Sequence, residues 1–306
     1  TVVPMTTRII EQRRTTPGII SDFWFLMKPE LTSLSVFSAL VSAYMAVPSG
    51  KPMPLRLLLI LAAGTLCAGG GAAALNQYLE RLRDAAMKRT QKRPLAAGRL
   101  DPRDGLIFGI MMSIAGVAML GAFVNLICAS ITAATILTYI GIYTPLKHIS
   151  SVSTIVGAIP GALPVLIGWT AVQNALSLQA MSLFAIVYYW QMPHFYALAW
   201  LYRNDYSKGG FKLLSTIDTT GVKIGWHVVV NCAILLAIGC LPYALNVASV
   251  MYLAGACAAG LAFLVYGIVF ARSIGDEGSQ KKARRLFFAS LVYLPVILVL
   301  LIIFKL

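Results

Sequence analysis

The chain has 306 residues, 58% of them hydrophobic and only 12% charged, with a net charge of +14. That composition excludes an ordinary soluble domain and suits a polytopic membrane protein. The cations flank apolar runs and gather on no single folded surface, which argues against nucleic acid as partner and leaves membrane topology and anionic lipid as their cause.

In chain order, residues 1–20 carry Arg8, Arg13 and Arg14 and read as a cytoplasmic tail, with 21–306 forming one intramembrane domain. Apolar runs of roughly the 20 residues needed to cross a bilayer fall at about 31–48, 55–78, 105–123, 125–142, 154–172, 179–201, 224–245, 248–270 and 286–304. No strand-like alternation appears, so the spans are predicted helical. The predicted fold class is an all-α polytopic membrane protein, with about nine transmembrane helices around a central apolar cavity capped by cytoplasmic loops. With the N-terminus inside, 22 of the 25 Lys and Arg and all 11 Asp and Glu lie on one side, against Lys51, Arg56 and Lys305 on the other. This places the N-terminus and the polar loops in the cytoplasm and the C-terminus outside. The two longest charged loops, 80–103 and 202–223, are separated by four predicted spans, which suggests two four-helix halves with a ninth helix appended. Cys67, Cys128, Cys232, Cys240 and Cys257 fall within predicted spans and read as small packing residues.

The segment "NQYLERLRDAAMKRTQKRPL" at 76–95 follows an apolar run directly. Residues four apart on a helix drift by only about 40°, so Asn76, Glu80 and Asp84 share one face. Two carboxylates and an amide oxygen suit a hard divalent cation such as Mg²⁺, whose companions are commonly substrate phosphates. The following Lys88, Arg89, Lys92 and Arg93 suit phosphate oxygens. The same ladder can also be read as a helix end whose acids are neutralised by neighbouring arginines; repulsion between Glu80 and Asp84, a few tenths of a kcal/mol, favours a bound cation. The glycines of "AGGGAAAL" at 68–75 read as close-packing positions, and Pro160 and Pro164 as kinks that shape a cavity. His194 is either a packed imidazole or a functional one, as an intramembrane ionisable residue invites.

The run Asn76-x3-Glu80-x3-Asp84-x2-Met87-x-Arg89-Thr90-x2-Arg93-Pro94 resembles the first signature of the UbiA-type intramembrane prenyltransferases, and more closely their haem O synthase (protohaem IX farnesyltransferase) branch. "LMKPELTSL" at 26–34, "YTPLKHIS" at 143–150, "GAIPGALPVLIGW" at 157–169 and "WQMPHFYALAWLYRNDYSKGGFKLL" at 190–214 are similar to further signatures in the same order. The sequence departs from that pattern at Glu80, where the wider superfamily usually carries Asp. It departs again at Gly209, where a second acid would follow Asp205, and at Glu30, where a basic residue is expected.

The resemblance implies transfer of farnesyl from farnesyl diphosphate to a haem B vinyl group, with water addition to give haem O and diphosphate. It implies Asn76, Glu80 and Asp84 as ligands of Mg²⁺ or another divalent cation. Lys88, Arg89, Arg93, Lys147 and Lys208 are then diphosphate contacts, and His194, Trp190 and Tyr143 haem contacts. Asp84, Glu80, His194 and Asp205 are the catalytic candidates, with His194 either an iron ligand or the base that activates water. Haem B is a substrate, not a cofactor, and the bilayer, haem A synthase or oxidase-assembly factors are implied partners, in a bacterial inner membrane in preference to a mitochondrial one. The alternatives are a quinone-precursor aromatic prenyltransferase and, outside this class, a membrane transporter or a haem chaperone. Groups confined to one face argue against a transporter, which needs access from both sides.

Overall fold

The structure, a computed structural model, describes residues 18–218 and 220–306; the predicted tail at 1–20 lies outside them except for its last three residues. A short helix α1 (Ile19–Leu26) leads into α2 (Pro29–Ala46), α3 (Leu55–Ala86), α4 (Pro102–Phe123) and α5 (Leu126–Leu146). Then come α6 (Ser153–Gln173), α7 (Leu178–Leu201), and the short α8 (Arg203–Lys208) and α9 (Leu214–Ile217). The chain ends with α10 (Val222–Ile238), α11 (Leu241–Ala244), α12 (Val250–Arg272) and α13 (Ser279–Ile303). A long helix thus occupies each of the nine predicted positions. Among the described residues, seven helical segments are long and apolar enough to cross a membrane, α10 counted together with α11. α2 and α7 fall outside that number, because Thr32, Ser35, Ser38 and Ser42 in one, and Ser182, Gln191 and His194 in the other, dilute their hydrophobicity. Both turn polar side chains inward.

Consecutive long helices pack side by side, and α13 returns to touch α2 and α7, closing the ring. Helix starts are set locally. The side chains of Asp101, Asn125 and Ser177 accept the free N–H groups of Arg103, Cys128 and Ala180 and so cap α4, α5 and α7. The glycine run in α3 lets two backbones meet: a Cβ on Gly71 would sit 2.5 Å from the Ser113 nitrogen and 2.7 Å from the Gly109 oxygen of α4. Small residues serve this purpose in lipid, where helix association rests on contact and not on water exclusion. Across the ring, a Cβ on Gly168 of α6 would collide with the Ala39 carbonyl of α2.

α3 has 32 residues, about 48 Å at 1.5 Å per residue, against a hydrocarbon layer of about 30 Å. Its first 20 residues exhaust that layer, so Asn76 onward emerges at the charge-rich end. Lys305 sits at the opposite end, donating to the carbonyls of Tyr44 and Val47.

Gly168→Val is expected to cost about 3 kcal/mol or more, because the obstructing atom is backbone and cannot rotate away. Gly141→Ala, which meets no atom within 4 Å, is expected to melt with the wild type. Thermal unfolding of both variants in detergent checks the contrast.

Candidate active site

The oxygen ladder is buried. Asn76, Glu80 and Asp84 are 1%, 3% and 1% exposed, which for carboxylates demands partners. Each rung has one, and each partner comes from a different segment. Lys28 Nζ donates to Asn76 Oδ1 at 2.7 Å. Lys147 Nζ lies 2.7 Å from Glu80 Oε1, a buried ion pair. Arg93 donates to Asp84 Oδ2 at 2.7 Å. Three basic groups therefore face two carboxylates, and an added anion would favour the charged form of the third, Lys28. Burial, reinforced by the charge of Arg93, holds the Lys28 ammonium well below its ordinary range. Burial opposes the charge on Lys147 too, but Tyr143 and Glu80 outweigh it and hold that ammonium above its usual value. The cluster can take up an anion.

The loops that deliver these cations are tied to one another. Gln77 donates to the carbonyls of Phe25 and Leu26, and Arg99 grips Asp22 with both Nε and a terminal nitrogen, so α1 is fastened to α3 and to the loop that follows it. Lys28, in the left-handed region at φ 46°, is strained in the way functional positions often are. Asp205 Oδ2 accepts the backbone N–H of Arg89, whose guanidinium donates to the Tyr206 hydroxyl and lies over the Tyr202 and Tyr206 rings. The Lys212 N–H donates to the Lys147 carbonyl, joining the second long loop to the short one after α5. Arg83 donates to His148 Nδ1 at 2.7 Å. Arginine can only donate, so Nδ1 bears no proton and the ring is neutral; partial burial, then Arg83, hold its pKa below the ordinary value.

Behind the ladder lies a cavity of about 300 Å³. Lys28 and Tyr143 line its charged end, and Trp190, Gln191, His194 and Phe195 of α7 line it further in. A π-helical turn at Thr138–Tyr143 in α5 stacks Tyr139 on Tyr143, with ring centroids 5.6 Å apart; such turns mark functional positions. Gly157, Pro160, Gly161 and Pro164 of α6 form another wall. His194 is stacked between Trp190 and Phe287, and its Nδ1 lies 2.8 Å from Ser290 Oγ. That hydroxyl spends its one proton on the Phe287 carbonyl at 2.5 Å, so toward the imidazole it is an acceptor. His194 therefore carries its proton on Nδ1 and keeps a lone pair on Nε2.

The structure brings Asn76, Glu80, Asp84, Arg93 and Lys147 together, and places Tyr143, Trp190 and His194 on one cavity. Arg89 and Asp205 meet at its rim. Lys88 and Lys208 are exposed, and neither enters an ion pair among the described residues. Sequence reasoning missed Lys28, Gln77 and Ser290. A Lys-Pro pair at a helix start was the one signal available for Lys28; the other two act through contacts that leave no local pattern.

Residues 35–292 match the sequence profile described as the UbiA prenyltransferase family. A protein named protoheme IX farnesyltransferase from Opitutus terrae is 41% identical over 286 residues, covering 94% of this chain and 95% of its own. One of the same name from Koribacter versatilis is 36% identical, covering 92% and 93%. A solved structure described as a UbiA homolog from Archaeoglobus fulgidus bound to GPP and Mg²⁺ superposes with a TM-score of 0.64 at 11% identity, over 92% of this chain and 99% of that one.

Removing one partner of a buried ion pair strands the other, at about 3–5 kcal/mol. Lys147→Met is expected to lose that much in denaturant unfolding, and adding Glu80→Gln to recover most of it. A second expectation concerns pH. His148 has a depressed pKa, so its contribution is complete above about 6.5, the ordinary histidine value, and is lost as pH falls through the lower folded value. Protonation would set an imidazolium against Arg83. Melting curves between pH 7 and 5 should show an acid-side loss for the wild type that His148→Ala lacks.

Proposed function

Because this chain belongs to the UbiA prenyltransferase family, we propose that it farnesylates haem: farnesyl diphosphate and haem B give haem O and diphosphate. One observation carries the reading. A cation-rich mouth and an imidazole-bearing aromatic wall, set by segments more than a hundred residues apart, open on the same cavity. The relatives named protoheme IX farnesyltransferase support the choice of acceptor. The enzyme is an integral membrane protein, and the reading puts it in a bacterial inner membrane with its N-terminus and mouth in the cytoplasm.

Asn76, Glu80 and Asp84 fit a divalent cation. They are hard oxygen donors buried together on one helix face. Mg²⁺ held there supplies Lewis-acid neutralisation of the diphosphate as it leaves. Lys28, Lys147 and Arg93 grip diphosphate oxygens, while Asp205 positions Arg89 at the rim, where Lys88 and Lys208 add to the field that draws the anion in. As the C1–O bond of farnesyl diphosphate breaks, its electron pair stays with the diphosphate oxygen, and the clustered cations stabilise that charge without reorganising. The vinyl π electrons then bond to C1, moving the positive charge to the vinyl carbon beside the macrocycle. A water oxygen bonds to that carbon, and its proton passes to Nε2 of His194. Tyr143, Trp190 and Phe195 pack the macrocycle and farnesyl chain and keep other water out.

Purified protein incubated with haem B, farnesyl diphosphate and Mg²⁺ is expected to yield farnesylated haem by mass spectrometry. Asp84→Ala should lower the yield by roughly 10²-fold or more, the scale of a lost charge-stabilising group; full turnover would reduce the ladder to a helix end. His194→Ala should abolish haem O formation and retain farnesyl diphosphate binding, with the haem absorption bands unmoved. Moved bands would assign the lone pair to iron instead. Prenylation of an aromatic acid without prenylation of haem would transfer the chain to the quinone-precursor branch.

A further inference from the structure

We propose that Ser38 and Ser42 hold a single water molecule at the floor of the cavity, and that this water hydrates the carbocation. The proposal rests on the haem farnesylation above, which consumes one water in a cavity that must otherwise stay dry. A second, much smaller void of about 10 Å³ lies beyond the main cavity, close to the roughly 10–15 Å³ that one water sphere occupies. Ser38 and Ser42 of α2 line it together with Val165, Leu183, Val187 and Leu298. Ser42 is 2% exposed, and its hydroxyl has no hydrogen-bond partner among the described residues. A buried hydroxyl left unpaired costs about 1–3 kcal/mol in general, and apolar voids stay dry whereas polar ones of this size hold water. Two serine hydroxyls one helical turn apart supply the minimum of two polar partners that a water needs.

Ser38 and Val187 line both the void and the main cavity, so the void adjoins the substrate space on its far side from Lys28. The water's oxygen forms the new C–O bond to the vinyl-derived cation, and the released proton goes to Nε2 of His194 on the α7 wall. No oxidant or further reactant is required.

The measurement is the ratio of hydroxylated to unhydrated (alkene) farnesyl-haem in a turnover assay, read by mass spectrometry. Ser42→Ala is expected to lower that ratio roughly tenfold, the effect of one lost hydrogen bond of ordinary strength. Ser42→Thr, which keeps the hydroxyl, should restore much of it. An unchanged ratio in Ser42→Ala, with product still formed, overturns the proposal. Should Ser42→Ala not fold, Ser38→Ala probes the other wall of the void, and the same two outcomes decide. A wild type that makes no farnesylated haem at all overturns the activity itself, and the role of this water with it.

Discussion

The structure turns on the requirement that a charge buried at the edge of a membrane be paired. Three oxygen-bearing side chains on one face of α3 are almost wholly buried, and none finds its partner on its own helix. Lys28 arrives from the strained turn before α2, Lys147 from the end of α5, and Arg93 from the loop after α3. Pairing the ladder therefore folds three separate segments over the mouth. The packing of α1 through Gln77 and Arg99, and the latch between Arg89 and Asp205, hold those segments where the pairing needs them. A well-packed apolar set of similar volume would stabilise the fold equally well or better. The presence of charge here points to an anion that the third basic group, Lys28, can receive.

Most of the architecture was legible in the sequence because it is periodic or compositional. Apolar run lengths located the long helices to within a few residues, save that the charged start of α13, from Ser279, and the charged end of α3 extend well past their runs. The four-residue spacing put Asn76, Glu80 and Asp84 on one face, as observed. What composition could not deliver was the status of α2 and α7. Their polar residues face inward, so a measure that sees only average hydrophobicity undervalues the helices that build the cavity. The partners of the functional groups were also hidden. Ser290, which fixes the tautomer of His194, lies 96 residues away in sequence, and Lys28 lies 48 residues from Asn76. Such contacts have no period for a sequence to display.

Asp205 shows how a role can shift once geometry is present. In the sequence it stands among the catalytic candidates, with Gly209 where a second acid would follow. In the structure it receives the backbone N–H of Arg89, and the guanidinium is steadied by Tyr202 and Tyr206. One carboxylate cannot make a metal site without companions, and no group of three or more His, Cys, Asp or Glu gathers among the described residues. What the structure shows of it is a contact that ties the second long loop to the first. Lys88 and Lys208 are exposed, so any pull they exert on an anion through solvent weakens with salt over about 10 Å at 0.1 M.

The chemistry asks two opposed things of the cavity: no water near C1 while the diphosphate departs, and one water at the vinyl-derived cation afterwards. α2 separates these demands along its length. Lys28 stands at its start, in the mouth, and Ser42 is 14 positions on, about 21 Å away at 1.5 Å per residue. A water held by Ser38 and Ser42 is thus kept at the end of the cavity remote from the leaving group, behind the substrates that fill the space between. The imidazole of His194, with its lone pair on Nε2, lies on the opposite wall between those ends. Order of reaction then follows from position: the bond at the mouth breaks while the water is out of reach, and the prenylated macrocycle, no longer tied to the diphosphate, must move inward before that water can bond to it.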